Sequence, residues 1–401
     1  MRQILFEIPA LWLLGTVLTV GIGAMVFGLI SRRKETALTG CVIAAGVAIA
    51  GLVFRQKIVD GRVPIFGFGM MLCLAFFAGS WLAQRLARRE GLDVDRLMDL
   101  SLWIFIGGII GARLLFLARN RDQFTGPLDF FKFWQGGIVF YGGVVAAVLV
   151  FLFYTRRYKM PAMQVLDVLA PAVALGIGVG RVGCLLNGCC WGQPSELPWA
   201  IRFPFGSIPH IEQLFQHPER VSLGFHISNR NGAEPVILEV DPDSWAANAG
   251  LRPGDMVRRV GDRDVVRLER DHEMRDAPAL LGLLREVKPG SKLSLDVARN
   301  DRTVSRTGTF TPTPPHSLPV HPTQIYLALA GWALLAATLA YFPRRTRHGE
   351  VMALLMVGYS LTRFAIEFFR DDEPPWADGL TISQNISIVI FAGGLLLWGW
   401  L

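Results

Sequence analysis

The stretch Gly176-Ile-Gly-Val-Gly-Arg181-Val-Gly-Cys-Leu-Leu-Asn187-Gly-Cys-Cys-Trp191-Gly192 decides how this chain is read. It closes an apolar run that begins near residue 162, and it carries an arginine into that run. Glycines this dense let backbones approach closely or a helix end irregularly. Lipid tolerates such backbone only where protein or a water-filled cavity covers it. A charge inside an apolar span is costly and marks a functional site. A buried guanidinium wants an anionic partner, and a lipid phosphate suits its fork of donors.

The composition around that stretch agrees. Of 401 residues, 52% are hydrophobic and 18% charged, where a soluble domain averages about 25% charged. Between Glu219 and Arg306 there are 15 basic and 15 acidic residues, so the whole +7 net charge lies outside that window. An apolar protein therefore carries one neutral, charge-rich, water-soluble insert. This excludes a soluble enzyme, a disordered chain and a collagen-like fibre. The basic excess is scattered over short loops, which excludes nucleic acid as a partner.

A helix crosses hydrocarbon with roughly 20 apolar residues. Nine candidates lie near 8–31, 37–54, 65–83, 98–118, 137–154, 162–182, 323–343, 350–369 and 380–401. The first lacks a small-residue cleavage site and reads as a retained helix. Basic clusters at Arg32-Arg33-Lys34, Arg85/Arg88/Arg89, Arg156-Arg157-Lys159 and Arg344-Arg345/Arg347 follow odd-numbered spans. The positive-inside rule then places those loops in the cytoplasm, the N-terminus and the insert outside, and the C-terminus inside. The expectation is a multi-pass plasma (inner) membrane protein. Its parts are two extra helices (1–60), a membrane core in two pieces (61–212 and 313–401), and an extracytoplasmic α+β insert (213–312).

Within the insert, β-like runs alternate with turn signals at Ser222–Ile227, Pro235–Val240 and Leu293–Val297, with a helical stretch from Ala277 to Glu286. Leu223-Gly224-Phe225 and Ala249-Gly-Leu-Arg-Pro-Gly-Asp255 closely resemble the carboxylate-binding loop and the signature turn of PDZ domains. That resemblance implies capture of a protein's C-terminal tail, or of an exposed strand, beside Leu223, Gly224 and Phe225. A PDZ-shaped spacer with an unused groove is the bland alternative.

Six charged residues sit inside the spans: Asp99, Arg113, Asp167, Arg181, Arg363 and Glu367. Arg363 and Glu367 are one helical turn apart and share a face. The Gly180-Arg181-Val-Gly183…Asn187-Gly188…Trp191-Gly192 run resembles the signature of the phosphatidylglycerol–prolipoprotein diacylglyceryl transferases. Further matches are Gly111-Ala-Arg113, Trp134–Gly143, His321-Pro-Thr-Gln-Ile-Tyr326 and Arg363-x-x-x-Glu367-Phe-Phe-Arg370, with a weaker one at Gln384. The likeness covers about residues 64–210 and 313–401.

That resemblance implies transfer of a diacylglyceryl group from phosphatidylglycerol to the lipobox cysteine of a prolipoprotein signal peptide. A thioether forms, glycerol phosphate is released, and no cofactor or metal takes part. Carried over by position, Arg181, Arg363, Tyr141 and Glu367 are the catalytic candidates. Asn187, Gly192, Tyr359, His321 and Arg113 are the substrate-binding candidates.

The chain departs from the family pattern at four places. Tyr141 stands where the family has its histidine, Cys184 replaces an asparagine, Cys189 a glutamate, and Phe68 an early tyrosine. A tyrosine with a pKa of about 10, against about 6.5 for histidine, is a poor base at neutral pH. The phosphate-binding half is kept while the proton-handling half is altered. For Cys184, Cys189 and Cys190, packing as thiols, a disulfide and a catalytic thiol all stay open, and their spacing does not follow the usual metal-ligand pattern. Ion pairs of Arg181 and Arg363 with Asp167 or Glu367 are the structural alternative to phosphate binding. Two competing functions stand beside this one, the first of them kept open by the departures. One is an inactive transferase-like scaffold that binds lipid and presents the insert to a protein. The other is a PDZ-bearing protease, for which the chain lacks a zinc H-E-x-x-H motif.

Overall fold

The structure is a computed structural model, and it describes residues 4–9, 62–120, 139–227, 235–265, 279–284, 286–300, 302–373 and 379–401. Nearly all of the spans expected at 8–31 and 37–54 lies outside those residues, as does the first half (134–138) of the Trp134-led motif. The chain divides into Arg2–Cys73 and Leu74–Leu401. In the first unit, β1 (Ile4–Pro9) pairs antiparallel with β2 (Arg62–Phe66). Helix α1 (Gly67–Arg89) follows, with Phe68 exposed in its first turn.

The remaining helices of the membrane core are α2 (Val94–Arg119), α3 (Phe140–Arg157), α4 (Ala162–Asn187), α8 (Thr323–Tyr341), α9 (Glu350–Glu367) and α10 (Ile382–Trp400). All seven spans expected from residue 65 onward are thus helical. Five of the described helices are long and apolar enough to cross a membrane: those at Gly67–Arg89, Val94–Arg119, Ala162–Asn187, Thr323–Arg344 and Ile382–Trp400. They turn large apolar side chains such as Phe77, Leu114 and Leu396 outward, a surface suited to hydrocarbon.

Small residues let the helices touch. A Cβ on Gly331 of α8 would lie 2.7 Å from the Gly178 nitrogen of α4, so only glycine permits that crossing. Asp167 of α4 is fully buried. Its carboxylate accepts hydrogen bonds from the amides of Gly349 (2.8 Å), Val351 (3.0 Å) and Met352 (3.2 Å). It thereby caps α9, satisfying amides that a helix start leaves without partners. Arg345 completes the arrangement, with Nε 3.2 Å from Asp167. Asp167 therefore serves the start of α9, and the proposed pairing with Arg181 or Arg363 gives way to this cap.

Between α4 and α8 the chain builds a small α+β unit. Helix α5 (Ile208–Gln216) leads into β3 (Phe225–Ile227), β4 (Ile237–Val240), a short α6 (Trp245–Asn248), β5 (Met256–Val260) and β6 (Arg263–Asp264). Helix α7 (Ala279–Leu284), β7 (Lys292–Arg299) and β8 (Arg302–Thr309) complete it. One sheet has the order β6-β5-β7-β8, and β3 pairs with β4 in a second. Strand β8 escapes the sequence reading because its Arg-Thr-Val-Ser-Arg-Thr-Gly-Thr text is polar. It forms by full antiparallel pairing with β7, from Lys292↔Thr309 to Arg299↔Arg302.

The core of this unit gathers Phe225, Ile237, Trp245, Val257, Leu280, Leu284, Leu295 and Phe310. Helix α5 belongs to the same core, because its Ile211, Leu214 and Phe215 pack against it, as does Phe205 just before the helix. Its two connections to the membrane core are zipped together by bridges at Ile201↔Val320, Pro204↔His316 and Ser222↔Thr313.

Two buried groups make this unit acid-sensitive in separate windows. Burial pushes the His210 imidazole down to about 4. Burial alone would raise the Asp255 carboxyl. The two hydrogen bonds from Arg299 (both 2.6 Å) and one from the Arg252 amide (2.9 Å) outweigh it and hold the group below the usual carboxylate range. Both groups have folded values below their unfolded ones, so stability falls as pH falls. The His210 share is fully present above about pH 6.5 and is lost by about pH 4, on the order of 3 kcal/mol. The Asp255 share is lost only below about pH 4. Hydrogen exchange of the β7–β8 amides, corrected for intrinsic rate, should show opening become easier between pH 6.5 and 4.5. His210→Phe should flatten that window and leave the more acid loss in place.

Candidate functional site

Arg363 and Glu367 lie on the last turns of α9 and are both buried. Glu367 Oε2 accepts from Arg363 Nη1 and, at 3.2 Å, from Arg370 Nη1, while its Oε1 accepts from the Thr381 hydroxyl at 3.0 Å. The second arm of Arg363 donates to Ser383 Oγ at 2.7 Å. Arg370 makes a two-pronged pair with Asp372, both contacts at 2.8 Å.

Thr381 and Ser383 open α10 through a capping box, in which Thr381 accepts from the Gln384 amide and Gln384 accepts from the Thr381 amide. The T-x-x-Q spacing before an apolar run is the sequence signal for this start. Nothing local in the sequence marks Ser383 as the hub it becomes. It donates to Glu373 at 2.7 Å, accepts from Arg363 and stands 3.0 Å from the Tyr141 hydroxyl. The serine's single proton is committed to Glu373, so Tyr141 donates to Ser383. Tyr141, at the start of α3, is thus joined to the Arg363–Glu367 pair through Ser383, which lies 242 residues further along the chain.

Arg181 reaches the same place from α4. It lies within electrostatic reach of Arg370, Cys184, Cys190 and Tyr359, and it acts on Arg363 as well. Among the described residues it has neither an ion-pair nor a hydrogen-bond partner. Three guanidiniums therefore converge here, and Arg363 and Arg370 spend their charge on Glu367 and Asp372. Arg181 keeps its full donor fork for something else. Tyr359, one turn ahead of Arg363 on α9, acts electrostatically on both Arg181 and Arg363.

The signature loop is built around α4's end. Gly188 adopts a left-handed conformation (φ 71°) and closes the helix. Gly192 is wedged between two segments: an added Cβ would meet His321 at 2.6 Å and the Phe369 carbonyl at 2.7 Å. Gln193 donates to that Phe369 carbonyl at 2.9 Å, and His321 donates its amide to Gln193 at 3.0 Å. Gly192 and His321 thus set the loop against the end of α9, with the His321 ring 5.1 Å from that of Phe369. Asn187 ends α4 next to Cys189.

Arg113 is buried in α2, its guanidinium 5.5 Å from the Phe116 ring. Cys184, Cys189 and Cys190 are free thiols whose sulfurs all lie within 4.8 Å of one another. The sequence reading missed this grouping, together with Ser383, Thr381, Glu373 and the pairing role of Arg370. In the insert, Leu223 and Phe225 turn their side chains into the core, and the Gly224 amide donates to Ser222 Oγ at 2.9 Å.

A phosphatidylglycerol–prolipoprotein diacylglyceryl transferase of Rhodopirellula baltica is 31% identical, over 90% of this chain and 78% of its own length. One from Yersinia enterocolitica is 25% identical over 85% and 90%. One from Thermosynechococcus vestitus is 33% identical over 39% of this chain and 60% of its own. Among solved structures, the HtrA-type protease AlgW with decapeptide aligns with 27% of this chain and 34% of its own, at 22% identity and a TM-score of 0.18. The family model described as prolipoprotein diacylglyceryl transferase matches residues 56–400, and the chain belongs to that family.

Proposed function

We propose that this protein transfers the diacylglyceryl group of phosphatidylglycerol to the thiol of a prolipoprotein's lipobox cysteine. The observation that carries the reading is Arg181: a guanidinium with no ion pair among the described residues, beside Arg363 and Arg370 and inside a family signature. A phosphodiester headgroup supplies the anion it lacks. In the reaction the cysteine sulfur attacks the glyceryl carbon that carries the phosphate. An S–C bond forms, the C–O bond breaks, and its electron pair leaves with glycerol phosphate. Arg181 and Arg363 stabilise the negative charge that grows on the departing phosphate. Glu367 and Ser383 hold the Arg363 fork in position, and Tyr141 steadies Ser383.

The protein works as a multi-pass inner-membrane enzyme, with its N-terminus and insert outside and its C-terminus in the cytoplasm. The insert acts as a PDZ-like recognition unit. A cavity of about 900 Å³ runs beside β3, lined by Leu223, Gly224, Phe225, Ile227 and Leu281 among others. Among the described residues β3 pairs only with β4, so an extended segment of the substrate protein can add to its other edge. With Leu223 and Phe225 spent on the core, that contact runs through backbone groups.

The test is transfer of labelled glyceryl lipid to a lipobox peptide in membranes that hold the purified protein. Arg181→Ala and Arg363→Ala should each reduce transfer at least about tenfold, as the loss of a charge-assisted contact of roughly 1.5–3 kcal/mol requires. Lysine at position 181 should restore little, because it lacks the planar fork. Undiminished transfer by the double alanine variant would sink the site assignment. Retained lipid binding with no transfer by the natural protein would favour the scaffold reading.

The Ser222–Thr313 bridge offers a place to remove the insert, since it holds both ends together through amide–carbonyl bonds of 2.7 and 2.8 Å. Replacing 223–312 by a short glycine turn should leave transfer to a minimal peptide largely intact and weaken transfer to full-length prolipoproteins. Equal loss on both substrates would make the insert part of the active site.

A further inference from the structure

The reading above leaves the substrate thiol without a base. A cysteine thiol has an ordinary pKa of about 8.5, and the thiolate is the nucleophile. The position of the family's histidine holds Tyr141, whose proton is engaged with Ser383. Close to the guanidiniums, however, stands a group of side chains that no step has used.

Cys184, Cys189 and Cys190 are five and one residues apart, a spacing that does not announce a shared site. The backbone brings them together. Gly188 (φ 71°) ends α4 in the left-handed region, and Cys190 (φ 60°) is itself left-handed, a conformation non-glycine residues seldom adopt. The loop is also held from outside. The Thr323 hydroxyl donates to the Cys190 carbonyl at 2.6 Å, and Gln324 Nε2 donates to the Cys189 carbonyl at 2.8 Å. Both carbonyls are thereby tied to α8 while the three thiols gather within 4.8 Å of one another, half-buried.

Three sulfurs around a tetrahedral zinc ion, with Zn–S near 2.3 Å, sit about 3.8 Å apart, so small side-chain rotations bring these into place. Among the described residues no histidine, carboxylate or further cysteine joins the group. Three protein ligands with one position open is the pattern of catalytic zinc, whereas structural zinc is closed by four. The charges fit as well. Zinc with three thiolates carries a net negative charge, and Cys190 lies within electrostatic reach of Arg181 and Arg370.

We propose that Cys184, Cys189 and Cys190 bind one zinc ion whose open position takes the lipobox cysteine of the substrate. The inference rests on the transferase reading. Coordination supplies what the missing histidine would: a thiol bound to zinc gives up its proton. The incoming thiol displaces water from the metal and releases its proton to solvent. Its sulfur, now a thiolate, attacks the phosphate-bearing glyceryl carbon. The S–C bond forms, the C–O pair leaves with glycerol phosphate as the dianion, and the neutral thioether lets go of the metal. No oxidant or reductant is needed.

The test uses the full chain purified in detergent under reducing conditions. Metal analysis should find about one zinc per chain, and Cys184→Ser, Cys189→Ser and Cys190→Ser should each lose most of it. Because serine variants can misfold, a second measurement uses the natural protein with cobalt in place of zinc. Its absorption should show thiolate-to-cobalt bands. A lipobox peptide should strengthen and shift them as a fourth sulfur binds, and the same peptide with serine for cysteine should not.

Several results would overturn the inference: no metal in protein that transfers lipid, a disulfide between two of the three cysteines, copper(I) held in a closed site, or a cobalt spectrum indifferent to the cysteine peptide. Transfer without metal removes the zinc and spares the transferase reading. A peptide-responsive metal with no transfer in any lipid does the reverse.

Discussion

The carboxylate of Asp167 is the constraint from which the site is built. Buried without exposure in α4, it receives three amides at the start of α9 and an arm of Arg345. An unpaired carboxylate there would be prohibitive, and an uncapped helix start would leave amides unsatisfied in an apolar interior. Each defect cancels the other, so the start of α9 is fixed against α4. Everything at the far end of α9 inherits that register: Arg363 and Glu367 reach the beginning of α10, and Arg370 reaches the loop that closes α4. The cap and the reactive cluster thus lie at opposite ends of one pair of helices.

The cluster at that far end is close to neutral, and the way it reaches neutrality explains its chemistry. Arg363, Arg370 and Arg181 face Glu367, Asp372 and Glu373. The acids are distributed so that Arg363 and Arg370 are paired and Arg181 is not. Paired guanidiniums are held rigid and remain donors to a third group at modest cost. An unpaired one is an invitation to an anion. In the transfer proposed above, a lipid phosphate arriving from the bilayer meets this fork, and its departure as a more highly charged phosphate improves the match, which is the condition for catalysis.

The insert is braced and cannot swing freely. Bridges between residues 201–204 and 316–320, and between Ser222 and Thr313, make its two connections into one ribbon, and α5 packs its apolar face into the insert's core. The core crosses the boundary that charge composition suggests. Composition marks where charged residues begin at Glu219, whereas the aromatic chain from His210 and Phe205 through Phe310 to Trp245 shows where packing begins.

Much of this was legible in the residues. Apolar runs locate seven described helices, because hydrocarbon length is a one-dimensional requirement. Arg363 and Glu367 announce their pair because a helical turn is local; the Thr381–Gln384 cap is equally local, but the sequence reading passed over it. Strand β8 was not legible, since a polar edge strand takes its structure from the β7 ladder it joins.

Nor could the residues reveal which distant groups meet. Tyr141 and Ser383, Asp167 and the amides of α9, and three thiols folded around Gly188 are joined by the crossing of helices that are apolar on every side. Such helices carry no stripe to say which face turns inward. By itself the sequence located the long helices among the described residues and the charges those helices carry, although Asp99 stays exposed. Only the tertiary structure, through close contacts such as Gly178 against Gly331, decided which of those charges would share a site.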